Sequence, residues 1–160
     1  GRGIKTMITL LKYFDNADAV IIGDGDYKQE LINFTNASDL IDRVYFINAV
    51  PYHELFKYTC GADIGFSLIR PIAISYINAL PNKIFEYILC GIPVITSNLP
   101  EMQKVLLKHN IGHCVNLDDL DSQINAVNLI FNNRINNLEK IASNNFIWEN
   151  QNSIFIEAIK

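Results

Sequence analysis

The sequence predicts an α/β fold, a Rossmann-like doubly wound parallel sheet, and three observations predict it. Short β-branched runs such as Ala19-Val20-Ile21-Ile22 read as strands buried on both faces. Segments with one apolar stripe at helical spacing alternate with them. Glycine or proline stands at the junctions, in Gly23-Asp24-Gly25, at Pro81 and at Gly91.

In chain order, residues 3–14 form a helix, because Ile4, Met7, Ile8, Leu11 and Phe14 fall on one face. Residues 19–22 form a strand closed by the Gly23-Asp24-Gly25 turn, and 27–36 a polar-rich helix. A strand over 43–47, a short helix over 53–60 and a strand over 63–68 follow. Residues 69–80 read as a loop. Pro81 then opens a helix, where its fixed φ and missing N–H cost nothing, and Gly91 ends it. A strand over 93–96, a helix over 101–108 and a last strand over 113–116 complete the sheet. Leu120, Ile124, Val127 and Phe131 mark a further amphipathic helix. The Asn-rich stretch 132–152 reads as helical with solvated faces, and Ile154, Ile156 and Ile159 as the packing face of a terminal helix. A doubly wound domain normally opens on a strand, and this chain opens on a helix after the turn-like Gly1-Arg2-Gly3. The expectation is one domain over 1–160 whose central first strand is missing, which leaves a gap between the strands at 19–22 and 63–68.

Composition narrows the function classes. A chain of 160 residues, 49% apolar along its whole length, builds a real core and is not disordered. No apolar stretch approaches the roughly 20 residues that span a bilayer, and no export signal is visible. With a net charge of −4 and no Lys/Arg cluster, a nucleic-acid partner is not expected. Cys60, Cys90 and Cys114 are widely spaced, so neither a zinc site nor a disulfide framework is suggested, and a reducing, cytoplasmic setting fits.

Two constellations carry chemistry. The Gly23-Asp24-Gly25 turn lets a backbone approach a nucleotide, although Lys28 stands where the dinucleotide fingerprint wants a third glycine. In Pro81-Asn82-Lys83-Ile84-Phe85-Glu86-Tyr87, the buried face is Ile84, Phe85, Ile88 and Leu89, while Lys83 and Glu86 share another. The helix N-terminus and Lys83 suit a diphosphate, and Glu86, one turn in, suits ribose or sugar hydroxyls. The bland alternative is a solvated Lys–Glu pair. His109 and His113 have zinc-ligand spacing, but Gly112 interrupts it and no third ligand is evident, so no metal is expected. Asp118, Asp119 and Asp121 read as helix-start residues.

The order of these signals resembles the C-terminal, donor-binding half of retaining GT-B-fold glycosyltransferases, over essentially the whole chain. Val20-Ile21-Ile22-Gly23-Asp24-Gly25 is similar to that family's strand and G-x-G turn, and 44–50 with Glu54-Leu55 to its next strand, loop and helix start. Residues 62–67 look like its central strand. Phe85-Glu86-Tyr87 followed by Gly91-Ile92-Pro93-Val94-Ile95-Thr96-Ser97 is the most specific match. Pro100-Glu101-Met102 resembles the following helix start, and Phe146-Ile147-Trp148-Glu149 the aromatic motif before the last helix.

The resemblance implies a transferase that moves a sugar from a UDP- or GDP-sugar to a saccharide or lipid-linked acceptor, in bacterial cell-surface polysaccharide synthesis. It implies Glu86 at the nucleotide ribose, Arg2, Asn82 and Lys83 at the diphosphate, Gly23 and Gly25 at the close-approach turn, and Ile47 to Val50 at the base. Eight residues before Glu86, where the family often has a second acid, stands Asn78, an amide that would meet the donor sugar without a charge. No cofactor and no metal are expected; the reactive centre would need an N-terminal acceptor domain of the same protein. The expected setting is the cytoplasm, peripheral at the inner face of the membrane. The rival readings are a GT-B nucleotide-sugar epimerase and a non-catalytic Rossmann-like interaction domain such as a receiver, for which Asp24 is the only loose candidate.

Overall fold

A computed structural model describes residues 3–147. The helices are α1 (Ile4–Leu10), α2 (Lys28–Ala37), α3 (Tyr52–Thr59), α4 (Ile74–Ile77), α5 (Asn82–Leu89), α6 (Pro100–His109), α7 (Leu120–Asn132) and α8 (Leu138–Asn145). The strands are β1 (Ala19–Ile22), β2 (Val44–Ile47), β3 (Gly65–Ser67), β4 (Val94–Ser97) and β5 (Gly112–Val115). Every pairing among them is parallel: β1 with β2, β3 with β4, β4 with β5. β1 and β3 are not bonded to one another, and the sheet falls into a two-stranded and a three-stranded part. Within each part, strands that are consecutive in the chain are neighbours, as in either half of a doubly wound sheet.

Helix α1 joins the two parts. Its Ile8 and the following Leu11 pack with Ala19, Leu31 and Val44. Its Leu10 packs with Leu68, Ile95 and Val127 of the other part. Gly3 starts the helix in the left-handed region, at φ 60°, and a side-chain carbon there would lie 2.4 Å from Leu68 Cβ. Only glycine meets both demands. Arg43, expected as the first strand residue, instead precedes β2 and donates to the carbonyls of Leu11, Phe14 and Ala17. It therefore closes the end of the first helical segment and fixes the approach to β1.

A third cluster, with Ile84, Ile88, Val94, Met102 and Ile111 at its centre, holds α5, α6 and α8 on the three-stranded part. Helix α5 opens after Pro81 and ends as the sequence requires. Gly91 sits at φ 75°. Its N–H reaches the Ile88 carbonyl at 3.1 Å, and the Ile92 N–H reaches that of Tyr87 at 3.0 Å. This is a Schellman stop, with Ile92 buried behind it.

Four expectations need correction. Leu89 is 38% exposed, because the inward positions of α5 are Ile84, Tyr87 and Ile88, and Leu89 lies well round the helix from them. The loop at 69–80 contains the one-turn helix α4, too short to leave a periodic signal. The Asn-rich stretch breaks between α7 and α8, where Asn137 adopts φ 62°, a conformation asparagine tolerates. Asp118 is not a helix-start residue but an ion-pair partner of Arg70 at 2.9 Å; Asp119 alone caps α7, accepting from the Ser122 N–H at 3.0 Å. The terminal-helix expectation at Ile154, Ile156 and Ile159 lies outside the described residues, as do Trp148 and Glu149.

Candidate functional site

In a parallel sheet, ligands gather beyond the carboxyl ends of the strands, where βα turns and helix N-termini converge. β1 ends in the Gly23-Asp24-Gly25 turn, β2 leads through 48–51 into α3, and β3 leads through 68–81 into α5. Hydrogen bonds link these junctions into one continuous rim.

The first link is Asp24. One carboxylate oxygen accepts from the Lys28 Nζ at 2.8 Å and the other from the Ala49 N–H at 2.9 Å. Lys28 also donates to Asn48 Oδ1 at 2.6 Å. Lys28 thus replaces the missing glycine of the fingerprint with a clasp between the turn and the β2–α3 loop. The Lys28 bond, and after it the Ala49 N–H, hold the Asp24 carboxyl below its ordinary pKa. Asp24 has a structural role here that the sequence reading did not find.

Gly23 and Gly25 present bare backbone. A side-chain carbon at either would meet nothing within 4 Å, so the turn faces open space. The Gly23 N–H extends the ladder to the Ile47 carbonyl at 3.0 Å. Of the backbone groups expected at 47–50, the Ile47 carbonyl and the Ala49 N–H are therefore engaged internally. Val50 carries no such bond among the described residues.

The second link is Glu86. Its Oε1 accepts from the Tyr52 hydroxyl at 3.2 Å, joining the start of α3 to α5. The other carboxylate oxygen has no hydrogen bond among the described residues. Burial, then the Glu86 charge, raises the Tyr52 phenol above its usual pKa, so it stays protonated and donates. Tyr52 is the main residue that the sequence reading missed at this site; a tyrosine after Pro51 carries no motif by itself. Tyr87, next to Glu86, turns inward onto β3. A side-chain carbon on Gly65 would lie 2.3 Å from Tyr87 Cγ, so the bare strand position is what lets the ring seat there.

The N-terminus of α5 is a helix start of the kind that suits an anion. Pro81 flanks it at ψ 142° and offers no side-chain cap. Asn82 and Lys83 lie exposed in its first turn, and Glu86 follows about one turn, roughly 5–6 Å, along the axis. Asn78 ends α4 and is exposed. Ile69, Tyr76, Ala79, Leu80 and Pro81 line a cleft of about 290 Å³ between that short helix and α5. Arg2 lies outside the described residues. Gly23 and Gly25 thus follow the end of β1 in the two-stranded part, and Asn82, Lys83 and Glu86 lie in the helix that follows β3 in the three-stranded part.

His109 and His113 do come together, on a separate cleft. Among the described residues, no group of three or more His, Cys, Asp or Glu side chains is arranged to hold a metal. The cysteines are free, and the Cys60 thiol after α3 is close enough to Cys90 after α5 to raise its pKa, a proximity that their spacing hides. Among the described residues, no helix is long and apolar enough to cross a membrane.

Comparison with known proteins bears on the family and the fold. Residues 2–148 match the family described as glycosyl transferases group 1. The O-antigen biosynthesis glycosyltransferase WclY of Escherichia coli is 31% identical over 99 residues, which are 62% of this chain and 26% of that protein. Among solved structures, Anabaena Alr3699/HepE in complex with UDP superposes with a TM-score of 0.79 at 20% identity, over 99% of this chain and 45% of that one. Sucrose-phosphate synthase from Thermosynechococcus elongatus gives 0.76 at 19%, over 99% and 42%. The pneumococcal O-GlcNAc transferase GtfA, in complex with UDP and GlcNAc, gives 0.73 at 13%, over 98% and 31%. The chain spans about a quarter of the curated relative and less than half of these structures.

Proposed function

The chain belongs to the glycosyl transferases of group 1, and we propose that it is the part of such an enzyme that holds the nucleotide-sugar donor. The observation that carries this reading is the half-engaged Glu86 carboxylate one turn inside an uncapped helix start. Tyr52 orients one oxygen and leaves the other for a ribose hydroxyl. The diphosphate of a UDP- or GDP-sugar lies at the α5 N-terminus, with Lys83 and Arg2 beside it. The base follows the 48–50 loop, and the donor sugar faces Asn78.

Transfer then occurs in a cleft completed by an acceptor domain of the same protein. Helix dipole and cations stabilise the charge that develops on the departing diphosphate. No metal enters this scheme. The UDP of Alr3699/HepE and the O-antigen role of WclY support a UDP-sugar and an acceptor, saccharide or lipid-linked, from polysaccharide synthesis. The setting of this synthesis is the inner face of the membrane. The test is transfer by the full-length protein from a UDP- or GDP-sugar to a saccharide acceptor. Expected are product that requires the acceptor and turnover that survives EDTA. Donor epimerised without acceptor, or activity abolished by EDTA and restored only by zinc, would overturn the proposal.

A further inference from the structure

We infer that the chain carries a second saccharide site, remote from the nucleotide groove: a cleft at the opposite end of the sheet that takes one hexose-sized unit of a glycan. The cleft lies where β5 begins, not where strands end. His109 and Asn110 come from the end of α6, and His113 from β5. Asn133, Arg134 and Asn136 come from the connection between α7 and α8. Its volume is about 360 Å³, within the roughly 300–1,000 Å³ range of small-molecule sites.

The lining is chemically selective. Leu129, Ile135 and Ile141 give it an apolar floor, and no carboxylate lines it among the described residues. The side-chain amides of Asn110, Asn133 and Asn136 and the Arg134 guanidinium have no hydrogen-bond or ion-pair partner among the described residues. Such a set could meet an oxyanion or a neutral polyol, and two effects decide for the polyol. Helices α6 and α7 both end here, and their partial negative charges offset the Arg134 charge that would otherwise draw an anion. Burial, with Lys108 adding for His109, holds both imidazoles below the usual histidine pKa, so at neutral pH they are uncharged. A neutral imidazole and an amide each pair a donor with an acceptor, which matches hydroxyls that both give and take hydrogen bonds. The apolar floor suits the C–H face of a pyranose.

This inference does not depend on the nucleotide assignment, and its test is separable from it. Full-length protein carrying 13C-labelled histidine is titrated with glucose, galactose and N-acetylglucosamine up to tens of millimolar. The His113 resonance is assigned by its loss in His113→Gln. The expected result is a saturable His113 shift with at least one hexose, unaffected by saturating UDP. Asn136→Ala should weaken that hexose at least about fivefold, the loss of one such hydrogen bond. Inorganic phosphate is run in parallel. No saturable shift with any hexose, an unchanged affinity in Asn136→Ala, or a response to phosphate in place of the hexoses would overturn the inference.

Discussion

Gly65→Ala isolates the packing that presents Glu86. A methyl group there would lie 2.3 to 2.6 Å from Cγ, Cδ2 and Cδ1 of Tyr87, inside any real carbon contact. These atoms are the root of the ring, not the far end of a flexible chain, so relief requires the side chain or α5 to move. Without the clash, an alanine in a strand would stabilise the fold by about 0.4–1 kcal/mol. Overpacking of this kind costs about 1–3 kcal/mol. The clash wins, and the net expectation is a loss of about 1–2 kcal/mol in the β3–β4–α5 region. Hydrogen exchange read by mass spectrometry on peptides from β3 and β4 of the full-length protein should accelerate about 5- to 30-fold. Nucleotide affinity should fall as well, because Tyr87 is bonded in sequence to Glu86. Exchange at or below the wild-type rate would refute the claim that the Tyr87 ring is pinned on Gly65.

Asp24 should titrate below the ordinary carboxylate value of 3.8. Because its folded-state pKa is depressed, its contribution is present above the unfolded value and lost as pH falls through the folded one. The Ala49 amide resonance, which reports the Asp24 bond, should therefore move with a midpoint under 3.8; a midpoint above it would contradict the clasp. Cys90 is pushed up to about 12 by burial first and by the neighbouring Cys60 thiol second. At pH 8 its thiolate fraction is negligible, so iodoacetamide should modify exposed Cys60 and spare Cys90. Equal labelling of the two, read by mass spectrometry, would show that the burial is wrongly drawn.

The parts of this fold written in local chemistry were readable in the sequence. β1 could be bounded to the residue because the run Ala19-Val20-Ile21-Ile22 meets Gly23, and α5 to within two residues because Pro81 and Gly91 flank it. Alternation of such segments implied parallel pairing, and every pairing among the described strands is parallel. What local chemistry does not encode was missed. Tyr52 reaches Glu86 across 34 residues of sequence, and the fold alone brings the Cys60 thiol near Cys90. Arg43 looked like a strand residue but spends its guanidinium on carbonyls around 30 residues earlier. Lys28 departed from a glycine pattern, and only the folded turn shows that it clasps Asp24 and Asn48.

The donor site stands or falls on Glu86. An ionised carboxylate accepting ribose hydroxyls makes charge-assisted bonds of about 1.5–3 kcal/mol each. Glu86→Gln keeps the shape and an acceptor oxygen facing Tyr52 but removes the charge. Calorimetric titration of the full-length protein with UDP and with GDP, for wild type, Glu86→Gln and Asn78→Ala, reads the difference directly. The expected result is affinity lowered about 10- to 100-fold in Glu86→Gln. Asn78→Ala, at the position proposed to meet the sugar, should change the affinity of the bare nucleotide far less. Glu86→Gln binding as tightly as wild type would contradict the ribose assignment and leave Lys83 and Glu86 as an ordinary solvated pair.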